Sequence, residues 1–481
     1  MNESTLVTKV WGFATILKDA GLSYTDYVEQ LTYLLFLKMD DERVRVLDET
    51  SLLPSGCRWA DLLPLTGSDL EKKYRETLET LSEQSGIIGT IFAKAQNKIS
   101  SPAHLARLIA LINGETWIGM DVDVKGKIYE GLLQKNATES KAGAGQYFTP
   151  RPLINAIVAV MKPAPDMTVI DPACGTGGFL LSAFEYMKKQ TKDKETLRKL
   201  RTEKLFGTDI TPLVVSLCAM NMYLHGIGGS TSPVKQGDSL MSAGDVRYDM
   251  VLTNPPFGKK SGLKVMKADG SVDVEKENYQ RTDFIATTSN KQINFLQHIM
   301  TILKIGGRAA VVVPDNVLFE GGAGEKVRQR LLREFNLHTI LRLPTGIFYA
   351  QGVKANVLFF DKMTPLENGC RTKDVWIYDL RTNMNFTLVT NTLNESHLQD
   401  FIECYDKRRG TERFKKYTCE EILARDKTSL DITWIKDASL TDLENLPEPQ
   451  ILAASIVENL EEALLAFRNV EEELVTQPQT D

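Results

Sequence analysis

No uncharged apolar run in this chain approaches the roughly 20 residues a membrane-spanning helix needs, and no signal-like apolar segment stands near its amino terminus. The expectation is a cytoplasmic protein with no membrane partner. The six cysteines, Cys57, Cys174, Cys218, Cys370, Cys404 and Cys419, form no C-x-x-C pair, and the five histidines are equally dispersed. Disulfide frameworks and zinc sites need grouped ligands, so reduced, mostly buried thiols and no metal are expected. Surplus positive charge is missing too, since 57 Lys and Arg face 63 Asp and Glu for a net −6. Phosphate neutralisation normally dominates affinity for nucleic acid. The acidic total therefore implies a chain that does not hold DNA tightly alone, although Lys259, Lys260, Lys264 and Lys267 form a local basic patch.

What is present is a strand-and-turn signature. Tyr248-Asp249-Met250-Val251-Leu252 reads as a short buried strand, closed by Thr253-Asn254-Pro255-Pro256-Phe257-Gly258, whose double proline cannot continue a ladder. Asn254 thus falls at a strand's carboxyl end, where open α/β sheets bind ligands. An exocyclic amine of a nucleobase is a poor nucleophile because its lone pair is delocalised. The side-chain oxygen of Asn254 and the carbonyl of Pro255 can accept its two N–H bonds and localise that pair. Pro255 and Pro256 stiffen the turn, and Phe257 offers a face for an extruded base. Taken alone, the tetrapeptide reads equally as an ordinary strand-ending turn with a packed aromatic.

Two stretches upstream read as a binding site. In Gly145-Gln146-Tyr147-Phe148-Thr149-Pro150-Arg151-Pro152, Thr149 resembles an N-cap with Pro150 at N1 of a helix running from about Leu153 to Val160. Its N–H groups, with Arg151, suit a carboxylate; a plain capped helix fits the octapeptide as well. Met167 to Ile170 is a strand entering Asp171-Pro172-Ala173-Cys174-Gly175-Thr176-Gly177-Gly178-Phe179-Leu180. This is a glycine turn that lacks the Lys of a P-loop and the third glycine of a dinucleotide fingerprint. Asp171 ahead of the turn repels pyrophosphate and favours a ligand with amino and sulfonium groups. Asp209, ending the strand from Leu205, can accept two ribose hydroxyls. Asp238 can accept an adenine amino group, or is simply a turn carboxylate facing solvent.

The alternation continues through a helix from Phe295 to Ile305, strands at Arg308–Val313, His338–Leu343 and Asn356–Phe360, and a polar segment, 258 to 290, without periodicity. Together these predict a doubly wound, mostly parallel sheet of about seven strands. The domain reading is an all-helical unit over 1–140, the α/β domain over 141–365, a mixed extension over 366–445 and a C-terminal helical tail over 446–481. The tail's apolar seam from Ile456 to Leu474 can pack on a partner helix or on its own domain.

These motifs, in this order, resemble the amino-group DNA methyltransferases that use S-adenosylmethionine, and among them the methylation (M) subunits of type I restriction-modification systems. Tyr33 to Met39 and Leu343-Pro344-Thr345-Gly346-Ile347-Phe348 share in the match. The resemblance implies the class I methyltransferase fold and transfer to N6 of a flipped-out adenine in double-stranded DNA. Asn254, Pro255, Pro256 and Phe257 would be catalytic. Gln146, Tyr147, Phe148, Thr149, Pro150, Arg151, Asp171, Ala173, Gly175, Thr176, Gly177, Gly178, Asp209 and Asp238 would bind the cofactor, Asp209 standing where the family often has Glu. It further implies a specificity (S) subunit in a two-M-one-S complex, and restriction (R) subunits. Transfer to N4 of cytosine, transfer to a protein glutamine, and a non-enzymatic assembly subunit with a relic site remain as alternatives.

Overall fold

The computed structural model describes residues 21–117, 149–257, 279–348, 353–388 and 391–436, the strands Gly262–Met266 and Val272–Lys276, and scattered positions nearer the two ends. Gln146, Tyr147 and Phe148 lie outside the described residues, as does the tail over 446–481 apart from four helical positions, Gln450, Ala453, Ile456 and Val457.

Ser23 opens α1 (Tyr24–Leu47), its hydroxyl accepting the Asp26 N–H at 3.3 Å. Every residue from Gln30 to Asp40 is buried. A helix buried on all sides must be central, and α2 (Trp59–Leu62), α3 (Gly67–Ser82), α4 (Gly86–Ile91) and α5 (Pro102–Asn113) accompany it. Its buried charge is paired: Lys38 lies 3.2 Å from Glu42 and donates to Asn113 at 3.2 Å.

The second unit is built on one sheet. Its strands are β1 (Val169–Asp171), β2 (Leu205–Asp209), β3 (Val234–Gln236), β4 (Tyr248–Thr253), β7 (Leu303–Pro314), β8 (Phe335–Arg342), β9 (Ala355–Lys362), β10 (Asp374–Asp379) and β11 (Phe414–Thr418), while β5 (Gly262–Met266) and β6 (Val272–Lys276) form a separate antiparallel hairpin. The spatial order is 11-10-8-9-7-4-1-2-3, and only β9 and β11 run antiparallel to their neighbours. Seven of these strands fall between residues 146 and 365. The other two extend the sheet from the 366–445 stretch, since the exposed edge of β8 continues its ladder with β10 in parallel register. The polar 258–290 segment, without periodicity in sequence, contains the hairpin.

The chain winds outward from β1 to β3 in one direction and from β4 in the other. The switch point therefore lies between the parallel neighbours β1 and β4, where Val169 pairs with Met250. Both faces are covered. On one, α6 (Arg151–Met161), α7 (Gly178–Lys188) and α9 (Pro212–Leu224) share a core with the helical unit. On the other, α10 (Lys291–Ile302) and α11 (Ala323–Glu334) pack over Val251, Val311 and Ile340. Burying each such side chain contributes about 1.5–3 kcal/mol. The charged stretch after α7 does not continue that helix, because Asp193 caps a fresh start at α8 (Lys194–Glu203) by accepting the Thr196 N–H at 2.8 Å.

Candidate active site

A cavity of about 220 Å³ opens at the carboxyl ends of β1, β2 and β4. Glycine makes its floor possible. Gly175 (φ +52°) and Gly177 (φ +87°) take left-handed backbone, and a Cβ on Gly177 would stand 2.9 Å from Cys218 Sγ. Ala173, Gly175, Thr176 and Gly178 line the cavity. Gly177 instead backs onto α9, where Asn221 Nδ2 donates to Thr176 O at 2.9 Å.

Two carboxylates stand in the wall. Asp171, 2% exposed, accepts from Thr253 Oγ1 at 2.6 Å and from the Ala173 N–H at 3.0 Å. Burial pushes its carboxyl up to about 7 against the pull of those two donors. Thr253 immediately precedes Asn254, so this bond ties the Asn254 turn to the glycine turn. Asp209 accepts the Gly175 N–H at 3.2 Å and the Thr211 N–H at 3.0 Å, and burial raises it while those N–H groups hold it down. Carboxylates held in this way favour a cationic ligand. Asp238 also lines the cavity; its oxygens accept the Leu240 N–H at 2.8 Å and the Tyr279 hydroxyl at 2.9 Å.

Asn254 closes the far end. Its Nδ2 donates to Thr149 Oγ1 at 2.9 Å, while its Oδ1 is buried without a hydrogen-bond partner among the described residues. Committing the NH₂ to Thr149 leaves the carbonyl oxygen as the free acceptor. Thr149 is therefore not the helix cap expected of it. The residue at the N-cap of α6 is Pro150, with no side-chain cap bond, and Pro152 occupies the first turn. Pro256 lines the cavity and its carbonyl accepts Gln292 Nε2 at 3.3 Å, while Pro255 is buried. Phe257 lies against Phe348, edge to face at 5.5 Å and 87°. Arg151 supports the floor from behind, donating to Gly178 O at 3.2 Å. Ile210, Tyr279, Lys291 and Phe295 also line the cavity and were not singled out from sequence. Ile210 had a usable signal, an apolar residue directly after the strand-ending carboxylate that remains 62% exposed.

Comparison with known proteins shows the family. Residues 120–437 match the family model described as N-6 DNA Methylase, and residues 6–112 match the HsdM N-terminal domain. The methylase subunit of type I restriction enzyme StySJI from Salmonella typhimurium is 40% identical over 96% of this chain and 94% of its own. This chain belongs to the type I restriction enzyme methylase subunits. The EcoKI methylase subunit from Escherichia coli K12 is 39% identical over the whole of this chain and 97% of its own length. The crystal structure of the EcoKI M protein, 34% identical over 99% of this chain and 98% of that one, superposes with a TM-score of 0.52. A chain solved in work on assembly and conformational transition of the type I R-M system gives 0.67 at 28% identity, covering 99% of this chain and 100% of that one. As a type I methylase subunit of the N-6 DNA methylase family, the protein is an adenine-specific DNA methyltransferase built on the class I methyltransferase fold. Among the described residues, no group of three His, Cys, Asp or Glu is placed to hold a metal ion, and no helix is long and apolar enough to cross a membrane.

Proposed function

We propose that the cavity between β1 and β4 holds S-adenosylmethionine and that Asn254 receives the exocyclic amine of an adenine rotated out of the duplex. The observation that carries this reading is the buried Asn254 Oδ1, without a partner among the described residues, beside a cavity walled by carboxylates. When bound, the cofactor supplies a methyl group already activated by its sulfonium. The chain's own residues have the remaining tasks: to align the amine, sharpen its lone pair and exclude water.

Asn254 Oδ1 and the carbonyl of Pro255 accept the two amine N–H bonds, and Thr149 fixes the amide so that the oxygen faces the substrate. Phe257, buttressed by Phe348, provides the stacking face. Asp171 attracts the cofactor's positive charge, Asp209 the ribose hydroxyls and Asp238 the purine amine, with Ile210 and Phe295 offering apolar surface to the ring. Gln146, Tyr147, Phe148, Pro150 and Arg151 belong to the methionine end of the same site. Sequence reading is delegated to a specificity subunit in a two-M-one-S complex that recruits restriction subunits, an arrangement consistent with the net charge of −6.

The test is base-resolved methylation mapping in a methylation-free host that expresses this chain with and without its specificity subunit. N6-methyladenine at one split motif, appearing only with the partner, is expected. Its absence from both cultures would overturn the reading.

A further inference from the structure

The Tyr279 hydroxyl meets Asp238 Oδ2 at 2.9 Å inside the cavity wall, although Tyr279 comes from a polar segment that nothing in the methyl-transfer chemistry requires. The other oxygen, Oδ1, is already fixed by the Leu240 N–H at 2.8 Å. The segment behind Tyr279 is firmly anchored. Arg281 donates to Leu240 O at 3.2 Å and to Asp283 at 2.9 and 2.6 Å, and lies over the Phe284 ring at 4.2 Å. Thr301 of α10 donates to Asp283 at 2.6 Å, and Gln297 brackets the backbone of Ala286 with two 3.0 Å bonds. The same helix lends Lys291 and Phe295 to the cavity. The phenol is thus held in place by a rigid support rather than by the ligand.

We propose that Tyr279 is a positioning residue that makes the cofactor pocket specific for a 6-aminopurine. A carboxylate has about four acceptor directions. With the Leu240 N–H on one oxygen and the Tyr279 hydroxyl on the other, Asp238 cannot rotate, and its remaining lone pairs face the cavity as acceptors only. A purine bearing an amine at C6 is welcomed there, and one bearing a carbonyl meets acceptor against acceptor. This rests on S-adenosylmethionine binding as proposed above.

The experiment is calorimetric titration of the full chain, wild type and Tyr279→Phe, with S-adenosylhomocysteine and with S-inosylhomocysteine, which carries a carbonyl in place of the amine. Wild type should favour the adenosyl compound by about tenfold or more, the worth of a hydrogen bond to a charged group. Tyr279→Phe should shrink that preference to within about threefold. A variant that keeps the full preference, or that loses affinity for both compounds equally, would overturn the proposal, because a mere wall residue gives those results. Wild type binding both compounds equally would overturn it while leaving the cofactor site intact. Wild type binding neither would overturn the cofactor reading itself.

Discussion

Replacing Asp171 with Asn should make the chain more stable and its cofactor pocket weaker, both effects growing with pH. Burial raises this carboxyl from 3.8 to about 7. The sign follows from linkage. A carboxyl raised on folding contributes most below its unfolded value, and that stability is lost as pH climbs through the folded value. At about 1.36 kcal/mol per unit, the shift costs the fold about 4 kcal/mol at pH 8, where the buried group must ionise, and less than half of that at pH 5, where it stays protonated while the unfolded group is ionised. An Asn oxygen can still accept from Thr253 and Ala173, and any constant cost of its buried N–H cancels between the two pH values. The stability advantage of Asp171→Asn should therefore grow by about 3 kcal/mol from pH 5 to pH 8, on the order of 3 °C in melting temperature for a cooperative chain of this length. Thermal scans of the two proteins without cofactor, at one scan rate, measure it. Calorimetry at pH 8 should show weaker cofactor binding by the variant, since the neutral amide no longer attracts the sulfonium. A stability gap that is flat with pH, or tighter binding by the variant, would refute the account.

The remaining predictions concern named contacts. Asn254→Ala should abolish methyl transfer with cofactor affinity nearly unchanged, and joint loss of both in calorimetry would remove Asn254 from its acceptor role. Asp209→Ala should weaken cofactor binding by roughly 10- to 100-fold, the range for hydrogen bonds to a charged group, partly because the Gly175 N–H loses its acceptor; unchanged affinity would dismiss the ribose contact. Tyr223→Phe should cost about 1–3 kcal/mol in denaturant unfolding, because the Leu52 N–H is left without its acceptor and Asp40 loses one of the donors that satisfy it. A cost near zero would mean that water satisfies both.

What could be seen in the sequence was what local chemistry dictates. The run from Tyr248 into Asn254-Pro255-Pro256 declares a buried strand that stops, and the glycines between Asp171 and Leu180 declare a turn, so the switch-point strands were legible before any contact was known. What failed depended on distant partners. Thr149 has two competing helix starts, at Pro150 and Pro152, and its hydroxyl is claimed by Asn254, 105 residues away. Tyr279 sits in a stretch without periodicity and reaches the cavity only because Arg281, Asp283 and Ala286 fasten to α10. The strands β10 and β11 pair through Trp376 and Tyr378 against Lys416 and Phe414, a mixed pattern that carries no clean alternation. Nor does sequence show why Arg328, 1% exposed, needs no carboxylate. Four backbone carbonyls, of Val317, Glu320, Lys427 and Thr428, surround it and fasten the C-terminal extension to α11.

The same logic explains why the helical unit and the methyltransferase sheet share one core. All of α9 from Val214 to Leu224 is buried, so each of its faces must satisfy a different neighbour. Toward the sheet, Cys218 blocks the space behind Gly177 and Asn221 holds Thr176 O. Toward the helical unit, Ser216 donates to Ile91 O, Tyr223 donates to Asp40 at 2.8 Å, and the Arg43 guanidinium stacks over the Tyr223 ring at 4.3 Å. Asp40 also accepts from Arg43 at 3.3 Å and from Ser51 at 2.6 Å within the helical unit, and the Tyr223 hydroxyl adds a donor that is present only while both units are docked. Undocking would expose Asp40 to water at little cost but strip Tyr223 and Ser216 of their partners, and α9 would lose the packing that fixes its angle. The glycine turn has no stiffness of its own, being mostly glycine and one threonine. Its shape is therefore set from behind by a helix whose own position depends on α1 and α4.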